Sequence, residues 1–266
     1  MGDHYTVERE IARGGAARVF LATDESGSQV ALKVLHPELA VSVTAERFVR
    51  EIEFLKTLDH PSIARLLDSG EHDFIVYYVM PYVDGPSLQH HLRRARRLSI
   101  DDTRRVATDL LDALGYAHQR GIVHRDVKPD NIVLARSGPI LVDFGIARAV
   151  AASGTNRLTR SGFAVGTSSY MSPEQVQGVA DIDQRSDLYS LGCVLYECLA
   201  GRPAFHAPQE ETVLRMHLDG QLETLGSLRK DLPPGLVGAI DRAMARDRDA
   251  RWPDATAMRN ALAQDA

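Results

Sequence analysis

Cysteine is nearly absent: two occur in 266 residues, Cys193 and Cys198, both inside an apolar run of helical pattern. So few thiols argue against a disulfide-stapled or thiolate-metal scaffold, and the pair reads as reduced core residues. No uncharged apolar stretch reaches the roughly 18 residues of a membrane-crossing helix. The start, Met1-Gly2-Asp3-His4-Tyr5, lacks the charged-then-apolar layout of a secretion signal, so a soluble, intracellular chain is expected. Basic excess is missing as well, since 31 Lys and Arg stand against 36 Asp and Glu, a formal net charge of -5. That mild acidity argues against nucleic acid as a partner, because phosphate-backbone binders usually carry a basic excess. What remains is 44% hydrophobic and 25% charged, and 266 such residues can bury a large core in one or two domains.

The first third of the chain alternates short β-type runs with turns. Tyr5-Thr6-Val7 leads into Ile11 to Leu21, Asp24 to Ser28 reads as a hairpin turn, and Gln29 to Leu35 follows. The glycine-bearing turn at Gly14 and Gly15 lets backbone N–H groups approach phosphates with no side chain in the way. In Val30 to Leu35 the alternation puts Ala31, Lys33 and Leu35 on one face, leaving a solitary ammonium among apolar neighbours that requires an anion. Between Ala45 and Leu58, Phe48, Ile52, Leu55 and Leu58 form a helical stripe, and Glu51 falls on it. A carboxylate on that buried side requires a cation. Asp59-His60-Pro61 ends the helix, and further strands are expected at Ile63 to Leu67 and Phe74 to Met80.

Pro81 to Pro86 breaks all periodicity, and the chain beyond it turns helical. Arg93 to Arg97 reads as a solvated charge run. Ser99 to Asp102 resembles a capping box opening a helix with Val106, Leu110, Leu114 and Ala117 on its apolar face. Ser186 to Leu199 is apolar nearly all round, as a buried central helix should be.

Function concentrates in His124-Arg125-Asp126-Val127-Lys128-Pro129-Asp130-Asn131 and in Asp143-Phe144-Gly145. Two acids, an amide and an ammonium sit around sharp turns after the short apolar runs Gly121-Ile122-Val123 and Pro139-Ile140-Leu141-Val142, which aims polar groups into a cleft from rigid supports. The pattern is that of phosphoryl transfer, where a protein mainly supplies position and positive charge. Asp126 would orient the attacking hydroxyl and accept its proton, Lys128 would neutralise charge on the moving phosphoryl, and Asn131 with Asp143 would hold magnesium through oxygen.

This octapeptide with its Asp-Phe-Gly resembles the catalytic and metal loops of protein kinases, specifically eukaryotic-like bacterial serine/threonine kinases, and the resemblance covers about residues 5 to 255. It implies an α+β, bilobal fold: an N-lobe at 1–81 of antiparallel β-sheet with one large helix, a hinge at 82–86, and a mainly α-helical C-lobe at 87–266. It implies ATP with Mg2+ (or Mn2+) and proteins bearing Ser or Thr as substrates. By the same resemblance Lys33 binds the α and β phosphates and pairs with Glu51. Ile11, Ala12, Arg13, Gly14 and Gly15 belong to the phosphate-covering loop, where Ala12 and Ala17 replace two of the family's three glycines. Ile11, Val19, Ala31 and Val133 wall the adenine slot, Val83 offers its N–H, and Met80 is the gatekeeper. Asp187 ties the buried helix to the backbone near His124, itself a packed structural histidine, and Glu174 of Ser172-Pro173-Glu174 pairs with Arg251. Thr167 bonds Asp126 and Lys128.

The polar stretch Ala152 to Gly162 is too hydrophilic to anchor itself. Autophosphorylation is expected there at Thr159 and Ser161, with Thr155 a weaker candidate, a phosphate pairing with Arg125. The resemblance further implies a cytoplasmic domain, which could belong to a longer membrane-anchored protein, and allows a homodimer through the N-lobe. Two other classes compete: a pseudokinase scaffold, favoured by the depleted glycine loop, and a small-molecule phosphotransferase, which would lack the Ser-Pro-Glu segment.

Overall fold

The computed structural model describes residues 4–14, 17–36, 52–72, 75–144, 168–220 and 222–264. Five strands, β1 (Tyr5–Arg13), β2 (Ala17–Asp24), β3 (Gln29–Leu35), β4 (Asp68–His72) and β5 (Ile75–Pro81), form an antiparallel sheet in the order β1-β2-β3-β5-β4. The β2–β3 turn is locked by the Asp24 carboxylate, which accepts from the N–H groups of Ser26 and Ser28, both at 2.9 Å. Gly27 takes φ 82 in this turn, a conformation that disfavours larger residues.

The register that follows puts Leu21 opposite Ala31 and Val19 opposite Lys33; across β3–β5, Ala31 faces Met80 and Lys33 faces Tyr78. Directly paired residues share a sheet face. Ala31, Leu35, Tyr78 and Met80 therefore join the main core, while Ala22, Val30, Leu32 and Val79 make a separate cluster on the other face. Lys33 lies on the core side, as its alternation requires.

One expected strand is displaced. Ile63 to Leu67 is not part of the sheet; Ile63 bridges Leu141 in parallel, and the N–H of Ala64 donates to the Leu141 carbonyl at 3.0 Å. The apolar pattern there marks burial against the second lobe, with Ile63 and Leu66 in the core. Sheet pairing begins at the polar run Asp68–His72, which suits an edge strand facing water. Of the helical stripe before it, Ile52, Leu55 and Leu58 are buried, whereas Phe48 and Glu51 lie outside the described residues.

Past residue 86 the described chain is mostly helical: α1 (Leu88–Ala95), α2 (Ile100–His118), α3 (Pro173–Val176), α4 (Arg185–Ala200), α5 (Glu210–Asp219), α6 (Leu225–Leu228), α7 (Pro234–Ala243) and α8 (Ala255–Ala263). A hairpin of β6 (Ile132–Ala135) and β7 (Gly138–Leu141) follows α2. Ser99 caps α2 by accepting the Asp102 N–H at 3.0 Å, and Val106, Leu110, Leu114 and Ala117 are buried as the stripe predicts. Arg93, Arg94, Arg96 and Arg97 are exposed.

Every residue of α4 from Ser186 to Leu199 is buried, with α2, α6 and α7 packed on it. Each large apolar side chain so placed contributes about 1.5–3 kcal/mol, so α4 anchors the lobe. Cys193 and Cys198 are free thiols within it, their pKa values raised by burial. Among the described residues no helix is long and apolar enough to cross a membrane.

Candidate active site

The loop after α2 is held by one buried carboxylate. Asp187, at the start of α4, accepts the backbone N–H of His124 through Oδ2 and that of Arg125 through Oδ1, both at 2.8 Å. His118, at the end of α2, adds a third bond from Nε2 to Oδ2 at 2.8 Å. Burial alone would raise the Asp187 pKa, but the bond and charge of His118 bring it below its ordinary value. These bonds hold Arg125 at φ 68, a left-handed conformation that costs a non-glycine residue about 1–3 kcal/mol. His124 is fully buried: Nδ1 accepts the Asp126 N–H at 3.2 Å, Nε2 donates to the Val142 carbonyl at 2.9 Å, and the ring meets Phe144 edge-on. It serves as packing and scaffold.

Asp126, Lys128 and Asn131 form one cluster on this loop. Lys128 Nζ lies 3.0 and 2.7 Å from the two carboxylate oxygens of Asp126, and Asn131 Nδ2 donates to the Asp126 carbonyl at 2.8 Å and to its Oδ2 at 2.9 Å. Committing Nδ2 this way leaves Oδ1 as the atom with which Asn131 can meet a cation. The Asn131 carbonyl accepts the N–H of Val142 at 3.0 Å, which seats Asp143 beside the cluster.

Asp143 takes φ 64 and reaches across the cleft to the sheet. Its Oδ2 is 2.6 Å from Lys33 Nζ, and its Oδ1 accepts the Tyr78 hydroxyl at 2.9 Å. Desolvation pushes this carboxyl up, but the Lys33 charge and the two bonds hold it below its usual range. Burial and the neighbouring carboxylate raise the Tyr78 hydroxyl well above its ordinary value, which keeps it a donor. Glu51, the expected partner of Lys33, lies outside the described residues; the ion pair seen is with Asp143.

Among the described residues no group of three His, Cys, Asp or Glu could hold a metal ion. Asp143 and Asn131 offer instead one carboxylate and one amide oxygen. Such a hard, incomplete set suits a small cation that draws its remaining ligands from water and substrate phosphates.

The residues expected to wall a slot between the lobes are placed as follows. Ala31 and Met80 are paired and buried, and half-buried Val19 packs on the same core. Val133 bridges Ser87, and Leu134 N–H donates to the Pro86 carbonyl at 2.9 Å, which ties segment 82–86 to β6. Tyr82 N–H is committed to Gln29 at 3.2 Å, and Val83 is half-buried next to it. Ile11 is the extra residue of a bulge between Glu10 and Ala12. Arg13 turns back on Glu10 at 2.8 Å, Ala12 and Gly14 are exposed, and Gly14 N–H closes the turn on the Ala17 carbonyl at 2.9 Å. Gly15, Thr155, Thr159, Ser161 and Thr167 lie outside the described residues.

Beneath the site, Arg251 is wholly buried and grips Glu174 with two bonds of 2.7 and 2.8 Å, the pairing expected from sequence. Three participants were not anticipated. Gln175 makes a reciprocal capping box with Ser172 and donates from Nε2 to the Arg125 carbonyl at 2.7 Å, joining the Ser-Pro-Glu segment to the catalytic loop. His118 and Tyr78 are the other two; neither lies in a motif, and each is recognised only by the carboxylate that it meets.

A sheet lobe over a helical lobe, with an acid–ammonium–amide cluster facing a second lysine–aspartate pair, defines a nucleotide-dependent phosphotransferase of the two-lobed kind. Comparison narrows the class: residues 5–260 match the family model of the protein kinase domain, and the chain belongs to that family. Membership brings ATP and a divalent metal in general. A probable serine/threonine-protein kinase of Streptomyces coelicolor is 39% identical over 97% of this chain and 39% of its own length. Serine/threonine-protein kinase PknB of Mycobacterium tuberculosis is 37% identical over 97% of this chain and 42% of its own. For the probable PknB of Bifidobacterium longum the figures are 38%, 96% and 38%. The chain thus spans about two fifths of the length of these curated relatives.

Proposed function

We propose that the chain is a serine/threonine protein kinase domain that moves the γ-phosphoryl of ATP, with Mg2+ as the working cation and Mn2+ as a substitute, to Ser or Thr hydroxyls of proteins. One observation carries the reading: Asp126, Lys128 and Asn131 are hydrogen-bonded together, and the Asn131 carbonyl links them to the strand end that presents Asp143 to Lys33. The lysine two residues after Asp126 resembles the serine/threonine branch, as do the relatives' names.

Asp126 orients the acceptor hydroxyl and takes its proton as the new P–O bond forms and the bond from the γ-phosphorus to the β–γ bridging oxygen breaks, releasing ADP. Lys128 places positive charge beside that carboxylate, where the transferring group needs it. Asn131 and Asp143 hold the cation, whose contribution when bound is to neutralise phosphate oxygens. Lys33 engages the non-transferring phosphates, and Ala31, Val19, Val133 and Met80 enclose the adenine. In-line transfer at such sites runs at about 1 to 100 per second.

Labelled ATP with a generic basic protein as acceptor tests this. Label recovered as phosphoserine or phosphothreonine after acid hydrolysis is expected; no transfer, or phosphotyrosine alone, overturns it. Autophosphorylation at Thr159 and Ser161, with Thr155 less favoured, belongs to the same proposal. Peptide mass spectrometry after incubation with ATP checks it, and unmodified sites in active protein would remove it.

A further inference from the structure

Tyr78 is 1% exposed, sits one alternation before Met80 on β5, and lies directly across from Lys33. Its ring centroid is 5.7 Å from Lys33 Nζ, and its hydroxyl reaches Oδ1 of Asp143 at 2.9 Å. The transfer chemistry assigned above gives no task to a phenol here. Tyr78 lines a small cavity together with Leu55, Leu66, Met80 and Phe144, an apolar setting that an aliphatic side chain would also suit. Such a side chain would avoid burying a hydroxyl, which costs free energy unless that group is hydrogen-bonded.

The bond to Asp143 supplies a reason. A carboxylate offers about four acceptor positions, so a donor on Oδ1 leaves room for a cation on the same group. Phenol, unlike the ammonium of Lys33, is neutral and does not repel that cation. It can keep its bond while the charge facing Oδ2 changes from ammonium to metal. Asp143 also sits on a backbone in the left-handed region, φ 64, a conformation that persists only where the surroundings hold the residue.

We propose that Tyr78 is a positioning residue of the cation site, setting the rotation of the Asp143 carboxylate through its hydroxyl. The inference rests on the reading of Asp143 as a cation ligand. Losing an outer partner of a metal-binding carboxylate typically costs about 10- to 100-fold in affinity.

The test is Mn2+ binding in the presence of saturating ADP, followed by electron paramagnetic resonance, for wild type, Tyr78→Phe, Tyr78→Met and Asp143→Asn. Thermal melts and metal-free ADP binding are measured on the same samples, with Tyr77→Phe on the opposite sheet face as control. Expected are an Mn2+ affinity about 10- to 100-fold weaker in both Tyr78 variants, metal-free ADP affinity unchanged, and wild-type behaviour for Tyr77→Phe. Asp143→Asn abolishing Mn2+ binding while the Tyr78 variants bind as tightly as wild type, or tighter, overturns the role of Tyr78 alone. Mn2+ binding that survives Asp143→Asn overturns the reading of Asp143 beneath it. A drop in melting temperature and ADP affinity together, with no selective effect on Mn2+, assigns Tyr78 to packing and also overturns the inference.

Discussion

Lys33 and Asp143 stand 110 positions apart in sequence and 2.6 Å apart in space, one projecting from the third strand and the other from the turn after β7. Their ion pair closes the cleft between the two lobes at its polar end. Exchanging Lys33 for Met removes the cation that faces Asp143 and that the proposed function assigns to the substrate phosphates. Phosphotransfer is expected to fall by about 10²–10³-fold, the effect of deleting one preorganised charge partner. The melting temperature is expected to fall as well, though by less than on loss of Arg251, because Lys33 and Asp143 are only 20% and 12% exposed and the carboxylate loses its cation. Steady-state kinetics beside a thermal melt checks both halves.

The Arg251–Glu174 pair should behave in the opposite way. Arg251 is fully buried, and removing it as Arg251→Met leaves a carboxylate beside Ser186 without its cation. Breaking a buried pair costs roughly 3–5 kcal/mol, which at about 2–4 °C per kcal/mol lowers the melting temperature by roughly 6–20 °C. Activity measured well below the new midpoint should be far less affected than stability.

Gly85 is pinned by backbone. It adopts φ 156, and a Cβ added there would lie 2.4 Å from the carbonyl oxygen of Leu134, which cannot swing aside as a side chain would. Gly85→Ala should push segment 82–86 off β6 and open the adenine slot. A rise in the KM for ATP with a smaller change in kcat is the expected kinetic signature.

His217 makes stability depend on pH. It is buried between Tyr189, whose hydroxyl is 2.7 Å from Nδ1, and the ring of Phe205. Desolvation pulls its pKa from 6.5 down to about 4. Between those values the unfolded chain binds a proton that the folded chain refuses, so stability is complete above about pH 6.5 and declines as pH falls towards 4. Every tenfold difference in proton affinity between the unfolded and folded chains corresponds to about 1.4 kcal/mol of that loss. Urea unfolding across pH 4–7 should show the decline, and His217→Phe should flatten it.

How legible these features were depends on how local they are. The catalytic loop lies in eight consecutive residues, and the Lys33 face follows from strand alternation, so both could be read from the chain. The roles of Asp187 and Arg251 were legible through the resemblance to protein kinases, which supplies the partner of each, and not through local pattern. Tyr78 carries no such mark: an aromatic on the inner face of a strand is usually core, and its partner is 65 residues away. His118 reads as an ordinary basic residue ending a helix. The misplaced strand has the same origin, because the alternation of Ile63 to Leu67 reports burial and not the identity of the neighbour, while polarity disguises the true edge strand, Asp68–His72.

The central claim is that Asp126, held by Lys128 and Asn131, handles the proton of the acceptor hydroxyl. The most direct measurement is single-turnover transfer from labelled ATP for wild type and Asp126→Asn, with ATP affinity determined separately for each. A general base of this kind contributes about 10²–10⁴-fold, so transfer in Asp126→Asn should slow by that factor with ATP binding retained. Transfer at the wild-type rate in that variant would contradict the assignment.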